Sequence, residues 1–290
     1  MLYFSNSPKI NAHEHIRAGF DFTIYEQVMD TFNIRKVFLM ATGSQKGNVG
    51  YEPHQDHLGK IKKDHPEKVE MFITVSHFSD NCMKQFESGL KHEPIGLKLL
   101  NGHPSFGIEP LDSPRLMPLY EKCAKRDMIV LTHWQLNLNQ TYWISLKNTL
   151  SAFPDVTFVM AHLGVAQNRF SGLAGLLNKF ENLYIDCSWG GYFRRFIREV
   201  DWEPERFRNF YEAFSHRILW GTDQVMSKGH TSQFLIWQHA TELAILERET
   251  YKGWQKYFPK RHVFGMNLNE TALSNILFKT PMEVLKRTGR

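Results

Sequence analysis

Short apolar runs alternate along the chain with longer amphipathic or polar stretches. The runs are rich in Val, Ile, Leu and Phe, which is typical of strands buried on both faces of a parallel sheet. About eight runs begin roughly 25 to 35 residues apart, which leaves room for a helix after each strand. The predicted strands are Ile10–His15, Val37–Thr42, Glu70–Val75, Ile95–Leu100, Met128–His133, Thr157–His162, Leu183–Ser188 and Ile218–Asp223.

Several stretches between the runs have helical spacing. Pro114–Arg126 is predicted as a helix because Ser113 is a suitable N-cap and apolar residues recur at intervals of three or four positions. Two more helices are predicted over Asn168–Phe180 and Glu203–Phe214. After the eighth strand the sequence predicts mainly helix, with a break around Phe258–Pro259.

The repeated alternation of strand and helix favours a closed parallel ring over an open sheet. We therefore predict an α/β fold, a TIM (β/α)8 barrel with a helical C-terminal segment. An open doubly wound sheet is the alternative, but the chain has no segment that resembles its Gly-rich nucleotide loop. No linker or shift in composition divides the sequence, so we expect a single domain over residues 1–290.

The composition is that of a folded protein, with 42% hydrophobic and 22% charged residues among 290. The net charge of +5 is spread over short basic pieces without a nucleic-acid-binding motif, so it favours at most an anionic small-molecule substrate. The three cysteines form no CxxC pair, and we expect reduced, mostly buried thiols in a cytoplasmic protein. We expect no signal peptide, because Met1 to Pro8 is short and residues with chemistry begin at His13. We expect no membrane span, because no apolar run reaches about 18 residues.

Polar residues with metal-binding or acid–base chemistry fall at the ends of the predicted strands. His13 and His15 are two residues apart on the first strand, so their side chains share a face. His133, His162 and Asp223 each end a separate apolar run. Because the C-terminal ends of all barrel strands open on one face, we expect these five side chains to converge there.

Three neutral imidazoles (His13, His15 and His133) and the Asp223 carboxylate suit Zn²⁺ or a similar divalent ion, with one position left for water. Asp223 would also take a proton from that water, and His162 would stabilise an oxyanion or pass on a proton. Alone, a His-x-His pair is a weak signal, and an Asp after a strand is more often a turn former. The joint placement of all five residues favours the metal site.

Seven short segments, in chain order, carry a likeness to a known family. They are Asn11-Ala12-His13-Glu14-His15, Gly96-Leu97-Lys98-Leu99, Thr132-His133, Ala161-His162-Leu163-Gly164, Tyr184-Ile185-Asp186-Cys187-Ser188, Ile218-Leu219-Trp220-Gly221-Thr222-Asp223 and Asn269-Glu270-Thr271-Ala272. From about residue 9 to residue 278 the chain resembles the amidohydrolase superfamily. It looks like the amidohydrolase-related branch, which includes aminocarboxymuconate-semialdehyde decarboxylase, aromatic-acid decarboxylases and dicarboxylate lactonases.

The resemblance implies a role for each matching residue. His13, His15, His133 and Asp223 would be the metal ligands, with Asp223 also the base. In relatives with one metal the residue at the position of His162 is catalytic, and in relatives with two it is a ligand. The expected ion is Zn²⁺, with Mn, Fe or Ni as alternatives, and one ion rather than two. Relatives are often dimers, so a homodimer is an open expectation.

The substrate pocket is defined less well than the metal site. Lys98 lies where some binuclear relatives carry a carboxylated, metal-bridging lysine, but substrate anchoring or a structural role is preferred here. Arg17 is a candidate for holding a substrate carboxylate, with a surface ion pair as the alternative. Trp134 and Trp189 are candidates for the pocket wall, with plain packing as the alternative. His103 follows the fourth strand and is given no role.

Two reactions fit the resemblance. The first is hydrolysis, in which a metal-bound water attacks a lactone, ester or amide of a small, carboxylated substrate. The alternative is non-oxidative decarboxylation of an aromatic or unsaturated acid. A third hypothesis, a barrel that only binds or assembles, is disfavoured by the complete set of polar groups. The sequence after His162 lacks the glycine run of many decarboxylase relatives, and Gln224-Val225-Met226 after Asp223 contains no proline, so the identity of the substrate stays open.

Overall fold

The computed structural model describes residues 6–42, 51–189, 193–252 and 262–290. Within these ranges nine parallel strands form one sheet, in the spatial order β8-β7-β6-β5-β4-β3-β2-β1-β9. The strands are β1 (Lys9–Ile16), β2 (Ile34–Ala41), β3 (Val69–Thr74), β4 (Gly96–Leu99), β5 (Ile129–Thr132), β6 (Phe158–Met160), β7 (Leu183–Asp186), β8 (Ile218–Leu219) and β9 (Val225–Met226).

The sheet closes into a ring through the segment that joins β8 to β9. The amide of Ala12 donates to the carbonyl of Trp220 at 2.8 Å, and the amide of Asp223 donates to the carbonyl of His13 at 2.8 Å. Beyond this point β9 pairs in parallel with the end of β1. β8 and β9 are therefore two parts of one interrupted eighth strand, and the predicted TIM barrel is confirmed.

Helices cover the outside of the ring. They are α1 (Phe22–Phe32), α2 (Tyr51–Asp64), α3 (Cys82–Gly89), α4 (Met117–Ala124), α5 (Gln140–Ala152), α6 (Phe170–Lys179), α7 (Phe193–Trp202), α8 (Pro204–Ala213), α9 (Ser232–Glu247), α10 (Glu270–Ser274) and α11 (Thr280–Lys286). Local signals in the sequence explain where several begin: Asp21 caps α1, Thr231 caps α9 and Asn269 caps α10, each through a side-chain oxygen. The predicted helical C-terminal segment is present as α10, a π-helical turn over Asn275–Lys279, and α11.

A bulge in β1 sets which of its side chains enter the barrel. Ile10 and Ala12 belong to the apolar cluster that fills the interior of the barrel. Val284 and Leu285 of α11 belong to the same cluster and cover one end of the barrel. The register of β1 against β2 shifts between Asn11 and Glu14. Because the shift reverses the alternation, the side chains after Ala12 change face, as a bulge does.

The predicted elements differ from the observed ones mainly at their ends. All eight predicted strands are found, but those predicted to end at His162 and Asp223 stop earlier, as β6 and β8. The segment predicted as mainly helical also contains an antiparallel hairpin, β10 (Thr250–Lys252) and β11 (His262–Phe264), which the sequence analysis missed. The predicted break around Phe258–Pro259 lies outside the described residues.

The cysteines and the helices bear on two further expectations. All three cysteines are free and buried, as expected. Among the described helices, none combines the length and the apolar character that crossing a membrane requires.

Candidate metal and acid–base site

Three ligand atoms meet at the C-terminal mouth of the barrel. His13 Nε2 lies 3.3 Å from His15 Nε2. Asp223 Oδ1 lies 3.2 Å from His13 Nε2 and 3.3 Å from His15 Nε2. Ligands bound to zinc tetrahedrally at about 2.0–2.1 Å are separated by about 3.3 Å, so the triangle has the dimensions of one face of such a site. These residues form a group that could hold a metal ion.

Asp186, at the end of β7, fixes the orientation of His13. The Nδ1–H of His13 donates to Asp186 Oδ2 at 2.8 Å, so the lone pair of Nε2 points into the triangle. The other carboxylate oxygen accepts from the backbone amides of His162 (2.9 Å) and Ser188 (3.1 Å). Burial raises the pKa of Asp186, but the charge and hydrogen bond of His13, with smaller contributions from His162 and Ser188, lower it to about 2.

His162 occupies the space beside the triangle. Its backbone has a φ of 56°, the first of four consecutive left-handed residues that end at Val165, so the chain turns sharply out of β6. Its Nδ1–H donates to the carbonyl of Ser188 at 2.6 Å, and its Nε2 lies 3.6 Å from Asp223 Oδ2. The ring stacks on His13 with centroids 5.4 Å apart. His162 thus lies beside Asp223, with its Nε2 just beyond hydrogen-bond distance of the carboxylate.

A second group of potential metal ligands shares His13 with the first. It consists of His13, His162 and Asp186, all buried. Its His13 and Asp186 atoms are already joined by the 2.8 Å hydrogen bond, which requires a proton on Nδ1. A cation at that place would have to break this pair.

His133 reaches the same pocket but does not join the triangle. Its ring makes edge contacts with His162 (centroids 5.0 Å apart) and with His103 (4.7 Å). Its Nε2 accepts from Gln135 Nε2 at 3.2 Å. Among the described residues, no group of three ligand atoms within 4.8 Å of one another includes His133. The predicted fourth ligand therefore lies beside the other three, facing Gln135.

Lys98 contacts the nitrogen of His13 that takes part in the triangle. It is fully buried on β4, and its ammonium donates to His13 Nε2 at 2.9 Å. Burial lowers the pKa of Lys98 to about 8, while the charges of Asp223 and Asp186 act in the opposite direction. A cation at the triangle needs the same lone pair. The three ligands fit a divalent ion, and Lys98 is the group that must move or lose its proton.

The electrostatics keep the imidazoles neutral and the carboxylate charged. Burial, reinforced by the charge of Lys98, lowers the pKa of His13 to about 4. Burial also lowers the pKa of His15, and it lowers that of His133 well below the usual range. For Asp223, burial raises the pKa, but the neighbouring imidazoles outweigh it and hold the pKa well below the usual range. These are the protonation states that bind a divalent metal.

The triangle opens into a cavity of about 220 Å³. Its polar and apolar lining consists of His15, Arg17, Thr42, Lys98, Leu100, His103, Phe106, His133, His162, Asp223 and Val225. Arg17 is exposed at the rim, and the Asp223 side chain is 16% exposed, so both are accessible from the pocket. Since binding pockets for drug-sized ligands span about 300–1,000 Å³, this cavity suits a smaller molecule.

The two candidate wall tryptophans lie elsewhere. Trp134 is buried, its Nε1–H donates to the carbonyl of Tyr142 at 3.0 Å, and it lines a separate apolar cavity beside α5. Trp189 stacks on Phe196 with centroids 4.0 Å apart and lies behind His162, at 6.5 Å. Neither lines the pocket of the triangle.

Sequence reasoning assigned no role to three residues that shape the site. Asp186 is the acidic residue that follows Leu183-Tyr184-Ile185 within the seventh run, a signal similar to the one that identified His133 and Asp223. Ser188 follows two positions later and donates its hydroxyl to Asp186 at 2.5 Å. His103 lines the pocket from the loop after β4.

The chain is similar to a known family in sequence and to solved structures in fold. A sequence model of a family described as amidohydrolase matches residues 49–277. No curated protein matches the sequence. Similar solved structures include an uncharacterised TIM-barrel protein of Bordetella bronchiseptica, with a TM-score of 0.67 and 16% identity over 98% of this chain and 100% of that one.

Two other solved structures represent different reactions on the same fold. A 2,6-dihydroxybenzoate decarboxylase from Rhizobium has a TM-score of 0.60 and 11% identity, covering 96% of this chain and 98% of its own. A dihydroorotase from Campylobacter jejuni has a TM-score of 0.60 and 16% identity, covering 96% and 83%. At these identities the likeness is one of fold.

Proposed function

The chain belongs to the amidohydrolase family, and from this premise we propose that it is a metal-dependent hydrolase of small anionic substrates containing a lactone, ester or amide. The observation that carries the proposal is the triangle of His13 Nε2, His15 Nε2 and Asp223 Oδ1, with edges of 3.2–3.3 Å, at the mouth of the barrel. We propose Zn²⁺ as the ion and one ion per chain. Bound there, the ion would supply Lewis acidity, lowering the pKa of water towards about 7 and polarising a carbonyl oxygen.

Asp223 and His162 form the acid–base pair. One oxygen of Asp223 contacts the two imidazoles of the triangle, and the other lies 3.6 Å from His162 Nε2. Because Asp223 is ionised and partly open to the pocket, it accepts the proton of the attacking water. His162 directs its Nδ1–H to the carbonyl of Ser188, so its Nε2, on the side of Asp223, is the atom that receives that proton. The pair then returns the proton to the leaving group.

Side chains at the rim and in the wall of the cavity recognise the charge of the substrate. The exposed guanidinium of Arg17 and the buried side chain of Lys98 line the same pocket as a single carboxylate, Asp223. A substrate carboxylate at the rim forms a bidentate pair with Arg17. The small cavity limits the substrate to a compact acid.

The test of the reaction class uses two substrate panels. Zinc-loaded protein is incubated with lactones, esters and amides of small carboxylic acids, and separately with hydroxylated aromatic acids. We expect acid release from members of the first panel and no CO₂ from the second. Release of CO₂ without any hydrolysis would overturn the proposal in favour of a decarboxylase, the reaction named for the Rhizobium neighbour.

The substitution Asp223→Asn tests the acid–base assignment. We expect the variant to fold and to lose about a hundredfold or more in kcat, because an amide cannot take the proton. The control is Asp64→Asn at the exposed end of α2, which makes the same change far from the pocket. Wild-type kcat in Asp223→Asn would remove this residue from the mechanism.

A further inference from the structure

Behind the triangle, on the outer side of β1, lies a buried polar cluster centred on Glu14. Glu14, Tyr25 and His239 are all fully buried. Glu14 Oε1 accepts from Asn11 Nδ2 at 2.9 Å, from Tyr25 OH at 3.3 Å and from the hydroxyl of Thr222. His239 Nε2 lies 3.3 Å from the same oxygen. No lysine or arginine among the described residues forms an ion pair with Glu14, so these hydrogen bonds and His239 offset the burial of its side chain.

The contacts of Glu14 bracket Asp223. Its Oε1 accepts from the side chain of Thr222, and its Oε2 accepts from the backbone amide of Gln224 at 2.7 Å. These are the residues directly before and after Asp223. The amide of Asp223 donates to the carbonyl of His13 at 2.8 Å, and the amide of His15 donates to the carbonyl of Gln224 at 2.8 Å. The segment 222–224 is therefore fastened to β1 at every residue.

Asp223 needs such fastening because of its own backbone. Its φ of 51° lies in the left-handed region, which is strained for a residue with a Cβ atom. Its carboxylate faces the ring nitrogens of His13, His15 and His162. The direction in which the carboxylate points is thus set by the backbone that Glu14 holds.

We infer that Glu14 is a positioning residue for Asp223, acting through Thr222 and Gln224 to hold the Asp223 carboxylate at the two imidazoles. His13 and His15 face the pocket while Glu14, between them, faces outward, so one tripeptide supplies two ligands and the support for the third. The inference rests on the proposed function in so far as Asp223 is taken as a ligand.

The test compares variants that remove one hydrogen bond on different sides of Glu14. Thr222→Val keeps the shape of the side chain and removes the donor next to Asp223. Tyr25→Phe removes a donor on the side away from Asp223. Both carboxylate oxygens of Glu14 accept hydrogen bonds. Glu14→Gln replaces one of them with an NH₂ group, which cannot accept and which faces at least one donor of the cluster. The full-length chain is freed of metal with a chelator and titrated with Co²⁺, followed by visible absorption, and urea unfolding is measured in parallel.

We expect Glu14→Gln to weaken Co²⁺ binding by about tenfold to a hundredfold, and Thr222→Val by a smaller factor in the same direction. Tyr25→Phe should lose stability to a similar extent as Thr222→Val yet bind Co²⁺ within about twofold of the wild type. Equal weakening by Tyr25→Phe and Thr222→Val would reduce Glu14 to a general structural role and overturn the inference, as would wild-type affinity in Glu14→Gln.

Failure of the proposed function is visible in the wild type itself, which would then bind no Co²⁺. In that case crystal structures of the wild type, Thr222→Val and Glu14→Gln decide the inference. We expect the Asp223 carboxylate to be displaced from the imidazoles in both variants, and an unchanged position in both would contradict it.

Discussion

At the scale of single residues, Lys98 sets a pH dependence for the metal site. Below its pKa of about 8 the ammonium donates to His13 Nε2 and repels a cation, and above it the neutral amine has no charge to repel a cation and holds the Nε2 lone pair less strongly. The pKa of His13 is about 4 and that of His15 is lowered, so these imidazoles stay neutral near pH 7 and above. We therefore expect the apparent affinity for Zn²⁺ to rise about tenfold between pH 7 and pH 9, by displacement of one proton.

Lys98→Met removes the competing proton, so its affinity for Zn²⁺ should be nearly independent of pH over that range. Competition titration against a chromophoric chelator measures both proteins. The control is Lys68→Met, which makes the same change in net charge at a lysine paired with Glu26 outside the pocket. Parallel pH profiles for the wild type and Lys98→Met would show that Lys98 does not compete for the site.

The position of a residue at the end of a strand predicted that its side chain enters the pocket. It did not predict the direction in which the ligand atom points. His13, His15 and Asp223 meet as ligand atoms, whereas His133, predicted by the same rule, faces Gln135. Rotation of an imidazole about its side-chain bonds depends on neighbours distant in sequence, which a single strand does not reveal. The outward direction of Trp134 was within reach of the sequence, because side chains alternate along a strand and His133 points inward.

At the scale of elements, the strands could be predicted because each apolar run is buried on both faces. Their ends could not, because the residues that carry chemistry leave the regular ladder. Two such residues adopt left-handed backbone angles, His162 two residues after β6 and Asp223 between β8 and β9. The bulge in β1 was likewise hidden, since two histidines spaced by one residue share a face whether or not the strand is interrupted before them.

The end of α4 allows a test of backbone strain in isolation. The amide of Met128 donates to the carbonyl of Cys123 at 2.9 Å and that of Asp127 to Ala124 at 3.4 Å, the pattern in which glycine is preferred at the left-handed position. Asp127 fills that position with a φ of 52° and is exposed. We expect Asp127→Gly to raise the free energy of unfolding by about 0.5 kcal/mol, as strain relief exceeds the entropic cost of glycine.

Urea unfolding of the wild type, Asp127→Gly and Asp127→Ala measures this effect. Alanine keeps the strain and removes the carboxylate, so it separates backbone from charge. A gain in stability of the same size in Asp127→Ala would assign the effect to the carboxylate instead.

At the scale of the whole molecule, closure of the barrel brings together ligands that are far apart along the chain. His13 and Asp223 meet only when the eighth strand pairs with the first, so the site exists only in the closed barrel. The sequence predicted this closure by counting strands. It did not predict the β10–β11 hairpin, because strands of three residues are too short for a periodic pattern and pair across 253–261.

A ligand set assembled by ring closure couples metal binding to folding. An ion that binds the folded chain and not the unfolded chain adds about 2.7 kcal/mol at a concentration a hundred times its Kd. With about 2–4 °C in Tm per kcal/mol for a large domain, Zn²⁺ should raise Tm by about 5–10 °C, and a chelator should reverse the shift. Differential scanning calorimetry of the chelator-treated chain with and without Zn²⁺ measures this. The double variant His13→Ala/His15→Ala should show no shift, and an equal shift there would mean that the ion binds elsewhere on the chain.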